Sequence, residues 1–393
     1  MGGYPDPPMS ELVTPPRETR TVVVPPSLRL PAFDALRAAA ATIVFLFHYG
    51  GFVTNQAVPG TAGDSLSWLT ARLGSTGTNL LLLLSGFFIA HSVASGRFSY
   101  PRFVALRLLR IYVPYMAVLG LAVAFAHVAT DLSRAEVANA SPATVLRQLL
   151  LLPGLFPDRP ILTVTWTLSY IVAGYLLFPL LGFELRRRHL SLGSRMAVWA
   201  GVTGLVLGCG LFLGAPSPRF AYIPAGCLVF ETQTRESWPT RWPRMMLKLV
   251  AGAVLFLLIR ILLETGTLGS GWPDVARWGL FTTSGLILTS CLVGITLLAQ
   301  RREGLRSLMP LLALIGGFGR TGYSFYLIHG PVVKLFTLLV FPLLATHNAS
   351  AYWLLMPFCW ALAAAAGLIL YRTVERPVRQ VLMRKVGGLA DGR

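Results

Sequence analysis

The sequence predicts an all-α polytopic integral membrane protein with about ten transmembrane helices. Composition gives the first reason: 54% of the 393 residues are hydrophobic and only 13% are charged, against roughly 25% charged in a soluble domain. Clustering gives the second. The apolar residues gather in blocks such as 33–48, 195–214 and 351–371, close to the ~20 residues that cross a hydrocarbon core of about 30 Å. Blocks of this kind are helical, since an open strand leaves its backbone unsatisfied in lipid.

Taken in order, the helices are expected near 33–53, 75–94, 105–129, 162–183, 195–214, 220–231, 245–264, 276–299, 319–345 and 351–371. Arginines in the connections then alternate. One set holds Arg17, Arg20 and Arg29; Arg97 and Arg102; Arg186, Arg187, Arg188 and Arg195; Arg235, Arg241 and Arg244; Arg301, Arg302 and Arg306; and Arg372, Arg376 and Arg379. The other set is sparse, with Arg72, then Arg134, Arg147 and Arg159 in the longest loop, then Arg219 and Arg277. The positive-inside rule makes the first set cytoplasmic and puts both termini there. The sixth helix is short and contains Pro224, but removing it would invert every later loop. Residues 130–161 are the one sizeable external segment, which leaves no room for a second soluble domain.

Residues 1–30 contain Pro-Pro three times among scattered charges and lack the apolar core of a signal peptide. They are expected to be a disordered cytoplasmic tail, matched by a C-terminal cytoplasmic tail over 373–393. A net charge of +18 would suit nucleic acid, but its carriers sit at the ends of apolar blocks, where topology explains them. The four cysteines lie inside apolar blocks without a Cys-x-x-Cys pair, so no metal site or disulfide framework is indicated.

Ionisable residues within lipid are costly and mark function. In the first helix, FDALRAAAATIVFLFHYG places Arg37 and His48 eleven residues apart, on one helical face and separated by about 16 Å of rise. Two readings fit. Arg37 snorkels to the headgroups while His48 bonds a neighbouring helix, or the neutral imidazole takes a proton from an attacking hydroxyl, the step that acyl transfer to an alcohol requires. In the third helix, FVALRLLRIYVPY sets Arg107 and Arg110 on one face, suited either to phosphate or to plain positive-inside anchoring. The ninth carries GRTGYSFYLIHGPVV, with Tyr323 and Tyr326 one turn apart and His329 as deep from its own end as His48 is. The spacing His127-x-x-x-Asp131 imitates a soluble acyltransferase motif, but such a spacing alone fixes no geometry.

Several of these strings resemble motifs of the membrane acyltransferase 3 family, whose members O-acylate polysaccharides, peptidoglycan, lipids and macrolide antibiotics. Arg37 and His48, preceded by Asp34, resemble its first-helix signature. GSTGTNLLLLLSGFFIAHS, through Ser85 and Gly86, resembles the second-helix motif. Arg107 and Arg110 resemble its Arg-x-x-Arg, and TWTLSYIVAGYLLFP its fourth-helix pattern through Trp166, Tyr175 and Pro179. TGYSFYLIHGP and YRTVERP resemble the closing pair. Six strings in family order cover most of the chain, with residues 31–372 as the acyltransferase unit.

The resemblance implies a multi-pass plasma (inner) membrane enzyme that uses an acyl-CoA donor, acetyl-CoA foremost. The acceptor would be a hydroxyl of a glycan, lipid or small molecule, with no bound cofactor, metal or nucleic acid. It implies His48 and Arg37 as catalytic and Arg107 and Arg110 as donor-binding. Asp34, Asn79, Ser85, Trp166, Tyr175, Tyr323, Tyr326 and His329 are implied as supporting residues. Two positions depart from the pattern: Ile171 stands where the fourth-helix motif usually has an acid, and Asn79 where aspartate is common in helix two. The partner of His48 is then supplied elsewhere, or His48 works unassisted. A transporter or flippase, or a family member that binds glycan or lipid without turnover, are the competing readings.

Overall fold

The computed structural model describes residues 31–57, 60, 63–96, 98–128, 141–155, 160–214, 217–233, 242–301, 318–319, 321–344, 348–378 and 380–381. Both tails, apart from the start of the C-terminal one, lie outside the described residues, as do Asp131 and the side chain of His127. Twelve α-helices are described: α1 Pro31–Gln56, α2 Asp64–Ala94, α3 Tyr100–Val128, α4 Pro142–Leu149, α5 Thr165–Arg187, α6 Leu192–Phe212, α7 Tyr222–Gln233, α8 Trp242–Glu264, α9 Asp274–Arg301, α10 Gly322–Val340, α11 Ala349–Leu354 and α12 Met356–Leu370. Strands are absent among these residues. Nine of the described segments are long and apolar enough to cross a bilayer, which makes the chain an all-α polytopic membrane protein.

The remaining crossing belongs to the sixth predicted helix. Preceded by a 3-10 turn at Pro218–Ala221, α7 has only 12 residues, fewer than a lipid-facing span needs. Its ends are nevertheless fixed to opposite ends of the bundle. Near its C-terminus Glu231 pairs with Arg186 at 2.7 Å and Arg195 at 3.1 Å, where α5 ends and α6 begins. At its other end Arg219 shares a cavity wall with Glu264 and Asp274, where α8 ends and α9 begins. Length matters less here because α7 is sheathed by protein, its backbone shielded from lipid by its neighbours.

The centre of the bundle is α2, buried along most of its length against α1, α5, α7 and α9. It meets α7 backbone to backbone. A Cβ on Gly86 would strike the carbonyl of Ile223, and one on Gly226 would strike the carbonyl of Leu83. Between them the Cys227 thiol donates to the Gly86 carbonyl at 3.2 Å; all four cysteines are free. In lipid, where apolar burial alone does not drive helices together, such small-residue contacts carry the association. Leu205, Phe212, Leu247, Leu339 and Phe358 instead expose more than half of their surface, as lipid-facing side chains do.

Local signals set the remaining boundaries. Ser191 accepts from the Ser194 amide to cap α6, Asn348 accepts from Ser350 to cap α11, and Ser141 with Pro142 opens α4, each satisfying a first-turn donor. The long loop folds back onto the bundle: Tyr115 donates to the Gln148 carbonyl at 2.9 Å, and the Gly154 amide to Ser169 at 3.0 Å. At the far end α12 passes into a π-turn at Tyr371–Glu375, and helix continues to Val378, beyond the expected boundary at 372.

Gly86→Ala and Gly226→Ala should each destabilise the purified protein by about 1–3 kcal/mol through overpacking. The check is thermal unfolding in detergent, where an unchanged midpoint would show that α2 and α7 have room that this packing denies.

Candidate active site

The predicted site residues divide between two levels of the bundle. At the end where α1 begins and α2 finishes, Arg37 pairs with Asp34 at 2.6 Å and lies over the Phe88 ring at 4.1 Å. Its side chain keeps a third of its surface open. Arg107 sits over Phe103 and Tyr175 at 5.3 and 5.5 Å, and Arg110 pairs with Glu375 at 3.3 Å. Arg107 and Arg110 are both within electrostatic reach of Arg37, so α1 and α3 together make a cationic mouth.

Glu375 escaped the sequence reading, although YRTVERP contains it. The π-turn carries this residue into the bundle, where it is 2% exposed and also accepts from Ser324 at 2.7 Å. Inserted π-turns re-aim side chains and recur at functional sites. Next to it, Tyr323 donates to the Ile111 carbonyl at 2.8 Å and ties α10 to α3.

His48 lies deeper, beside a cavity of 450 Å³ that Val44, Ser75, Trp166 and Tyr326 also line. The cavity sits toward the end where α1 finishes and α2 begins, about 16 Å along α1 from Arg37 by the rise per residue. No hydrogen bond to a described residue occupies either nitrogen of the His48 ring. Its neighbour is His329, with ring centroids 5.2 Å apart and planes inclined at 43°.

His329 is fully buried, and its Nδ1 lies 2.8 Å from the Tyr326 carbonyl. A carbonyl can only accept, which assigns the hydrogen to Nδ1 and leaves a bare lone pair on Nε2. That Nε2 is buried and has no hydrogen-bond partner among the described residues. Imidazoles joined by an N–H···N bond of about 2.9 Å have ring centres about 5 Å apart, so the two rings stand at the spacing such a bond requires.

Tyr326 is differently placed. Its hydroxyl lies 2.6 Å from Thr167 Oγ1, which itself donates to the Val164 carbonyl at 2.6 Å. Thr167 must therefore accept, and the Tyr326 proton is committed to it. Of the other supporting residues, Ser85 donates back to the Leu81 carbonyl at 2.9 Å on its own helix. Asn79 donates to Tyr222 at 2.9 Å, joining α2 to α7. Ile171 packs among apolar neighbours, so no carboxylate replaces the missing fourth-helix acid at its own position.

A buried cation also went unread in the sequence. Arg260, 2% exposed within the apolar run of α8, donates to the Phe281 carbonyl at 2.8 Å and to Ser75 Oγ at 2.6 Å. An arginine amid apolar residues is the signal that would have found it.

No curated protein and no solved structure matches the chain. Residues 30–372, nearly its whole length, match the family model Acyl_transf_3, described as an acyltransferase domain. Together with nine apolar spans and a histidine lining a cavity, this match shows that the chain belongs to the acyltransferase 3 family of membrane acyltransferases.

Proposed function

We propose that the protein is an O-acyltransferase of the plasma membrane that moves an acyl group, acetyl foremost, from acyl-CoA to a hydroxyl of an envelope or secreted acceptor. The observation that carries this reading is the His48–His329 pair at the cavity edge. His48 donates one ring N–H to the bare Nε2 of His329, which leaves its second nitrogen as a base toward the cavity. His329 thereby does for His48 what the absent fourth-helix acid would do, fixing tautomer and ring orientation.

The chemistry then balances simply. The acceptor hydroxyl loses its proton to His48 as its oxygen attacks the thioester carbonyl; the new C–O ester bond forms, the C–S bond breaks, and the departing thiolate takes the proton from His48. Arg37, Arg107 and Arg110 hold the donor's phosphates at the mouth through charge-assisted bonds. Separation argues against Arg37 as a direct stabiliser of charge at His48. It suits a donor whose charged head stays outside while its thioester reaches inward. The positive-inside rule makes this mouth cytoplasmic and the cavity end external.

His48→Ala should abolish thiol release from acetyl-CoA by purified protein that remains folded, and retained turnover would remove His48 from the mechanism. For its partner, His329→Gln restores both an acceptor toward His48 and a donor toward Tyr326, so it should keep most of the kcat that His329→Leu loses. Equal loss in both variants would leave His329 with a packing role only. At the mouth, Arg107→Ala and Arg110→Ala should each raise KM for acetyl-CoA about tenfold, the scale of one lost charge-assisted contact, with kcat little altered. A fall confined to kcat would assign these arginines elsewhere.

A further inference from the structure

The cavity beside His48 has a charged outer wall that the donor chemistry leaves unused. Arg219, Glu264, Asp274 and Arg277 all line it. Neither guanidinium is ion-paired among the described residues. Arg219 lies over the Trp166 ring at 5.3 Å, and Arg277 donates to the Leu263 carbonyl at 3.3 Å, which uses part of its donor fork. Glu264 is within electrostatic reach of Arg72, Arg219 and Arg260. Two guanidinium groups and two carboxylates line the wall itself, and Arg72 and Arg260 add positive charge within electrostatic reach of Glu264.

Behind that wall, Arg260 directs a further donor. Because a guanidinium only donates, Ser75 Oγ accepts from it at 2.6 Å, and the serine's own proton is free for the cavity. Ser75, Arg219 and Arg277 therefore present hydrogen-bond donors, Glu264 and Asp274 present acceptors, and Trp166, Trp278 and Phe281 supply flat apolar faces. At 450 Å³ the space falls within the roughly 300–1,000 Å³ range of small-molecule sites.

We propose that this wall is the acceptor subsite, and that the acceptor is an anionic saccharide bearing a carboxylate or phosphate beside the hydroxyl that His48 addresses. The proposal rests on the reading of His48 as the base. Sugar rings stack on the aromatic faces, their hydroxyls meet Glu264 and Asp274, and the anionic group meets Arg219 and Arg277. A neutral saccharide leaves those guanidinium groups desolvated and unmatched, and a site built around such groups rejects the analogue that lacks their partner. Inorganic phosphate alone forgoes the aromatic and carboxylate contacts.

The test is equilibrium binding to the full-length protein in nanodiscs, using glucuronate, glucose 6-phosphate, glucose and inorganic phosphate as probes. Glucuronate and glucose 6-phosphate should bind at least about tenfold more tightly than glucose, and more tightly than phosphate, the margin of one charge-assisted contact. Arg219→Gln and Arg277→Gln should each erase that preference, while Arg219→Lys, a control against misfolding, should keep most of it. Equal binding of glucose, equal binding of phosphate, no saccharide binding, or a preference that survives both glutamine variants would overturn the assignment. Measuring thiol release alongside binding separates the two readings. Selective binding by the wild-type protein without thiol release counts against the transfer chemistry alone, whereas thiol release driven equally by neutral and charged sugars counts against the subsite alone.

Discussion

A packed apolar interior offers nothing to a charge, and the few buried charges of this bundle are therefore its fixed points. Glu231 is 2% exposed and holds two arginines from the α5–α6 turn; Glu375, equally buried, holds Arg110 and Ser324. Removing the Glu231 carboxylate would strand two part-buried cations, a loss typically larger than the net worth of the pair. Through Glu231 the short α7 is tied to one end of the bundle, and that tie lets 12 residues do the work of a full span. Through Glu375 the last helix is docked against α3 and α10 where the cationic mouth is built.

Much of this was legible in the chain. Hydropathy located the helices, and charge alternation retained the sixth crossing despite its length, because a topology that omitted it would have scattered the arginines. Helical periodicity predicts a shared face for Arg37 and His48, but the cavity is lined by His48 and not by Arg37. What stayed hidden depends on distant pairing. Glu375 meets a residue 265 positions away, and His329 meets His48 from another helix, partnerships that no local period encodes. Asn79 shows the converse: the helix-two motif marks the position, yet its amide donates to Tyr222 and its Oδ1 is buried without a partner among the described residues.

The two departures from the family pattern acquire a physical sense in this packing. A carboxylate at position 171 would enter an apolar cluster, where an ionised group needs several hydrogen bonds to offset its desolvation. A neutral imidazole needs far less. His329 satisfies its Nδ1 on a backbone carbonyl of its own helix, and on the proposed function its Nε2 orients His48 without a buried charge. A neutral partner also stabilises the transient imidazolium less than a carboxylate would. The arrangement therefore favours orientation over electrostatic stabilisation, and it places more of the demand on how well the acceptor hydroxyl is held.

That demand falls on the outer wall. On the proposed function, a donor whose charges are held at the mouth brings its thioester to His48, about 16 Å from Arg37 by helical rise, with little else to position it. Precision at the reacting centre must then come from the acceptor, since transfer requires both partners in a near-attack geometry. On the proposed subsite, the guanidinium groups of Arg219 and Arg277, which form no ion pair among the described residues, together with aromatic faces and a serine hydroxyl bonded to Arg260, supply the means. On this view the two arginine groups divide the labour: the inner set selects a donor by its phosphates, and the outer set selects an acceptor by its charge.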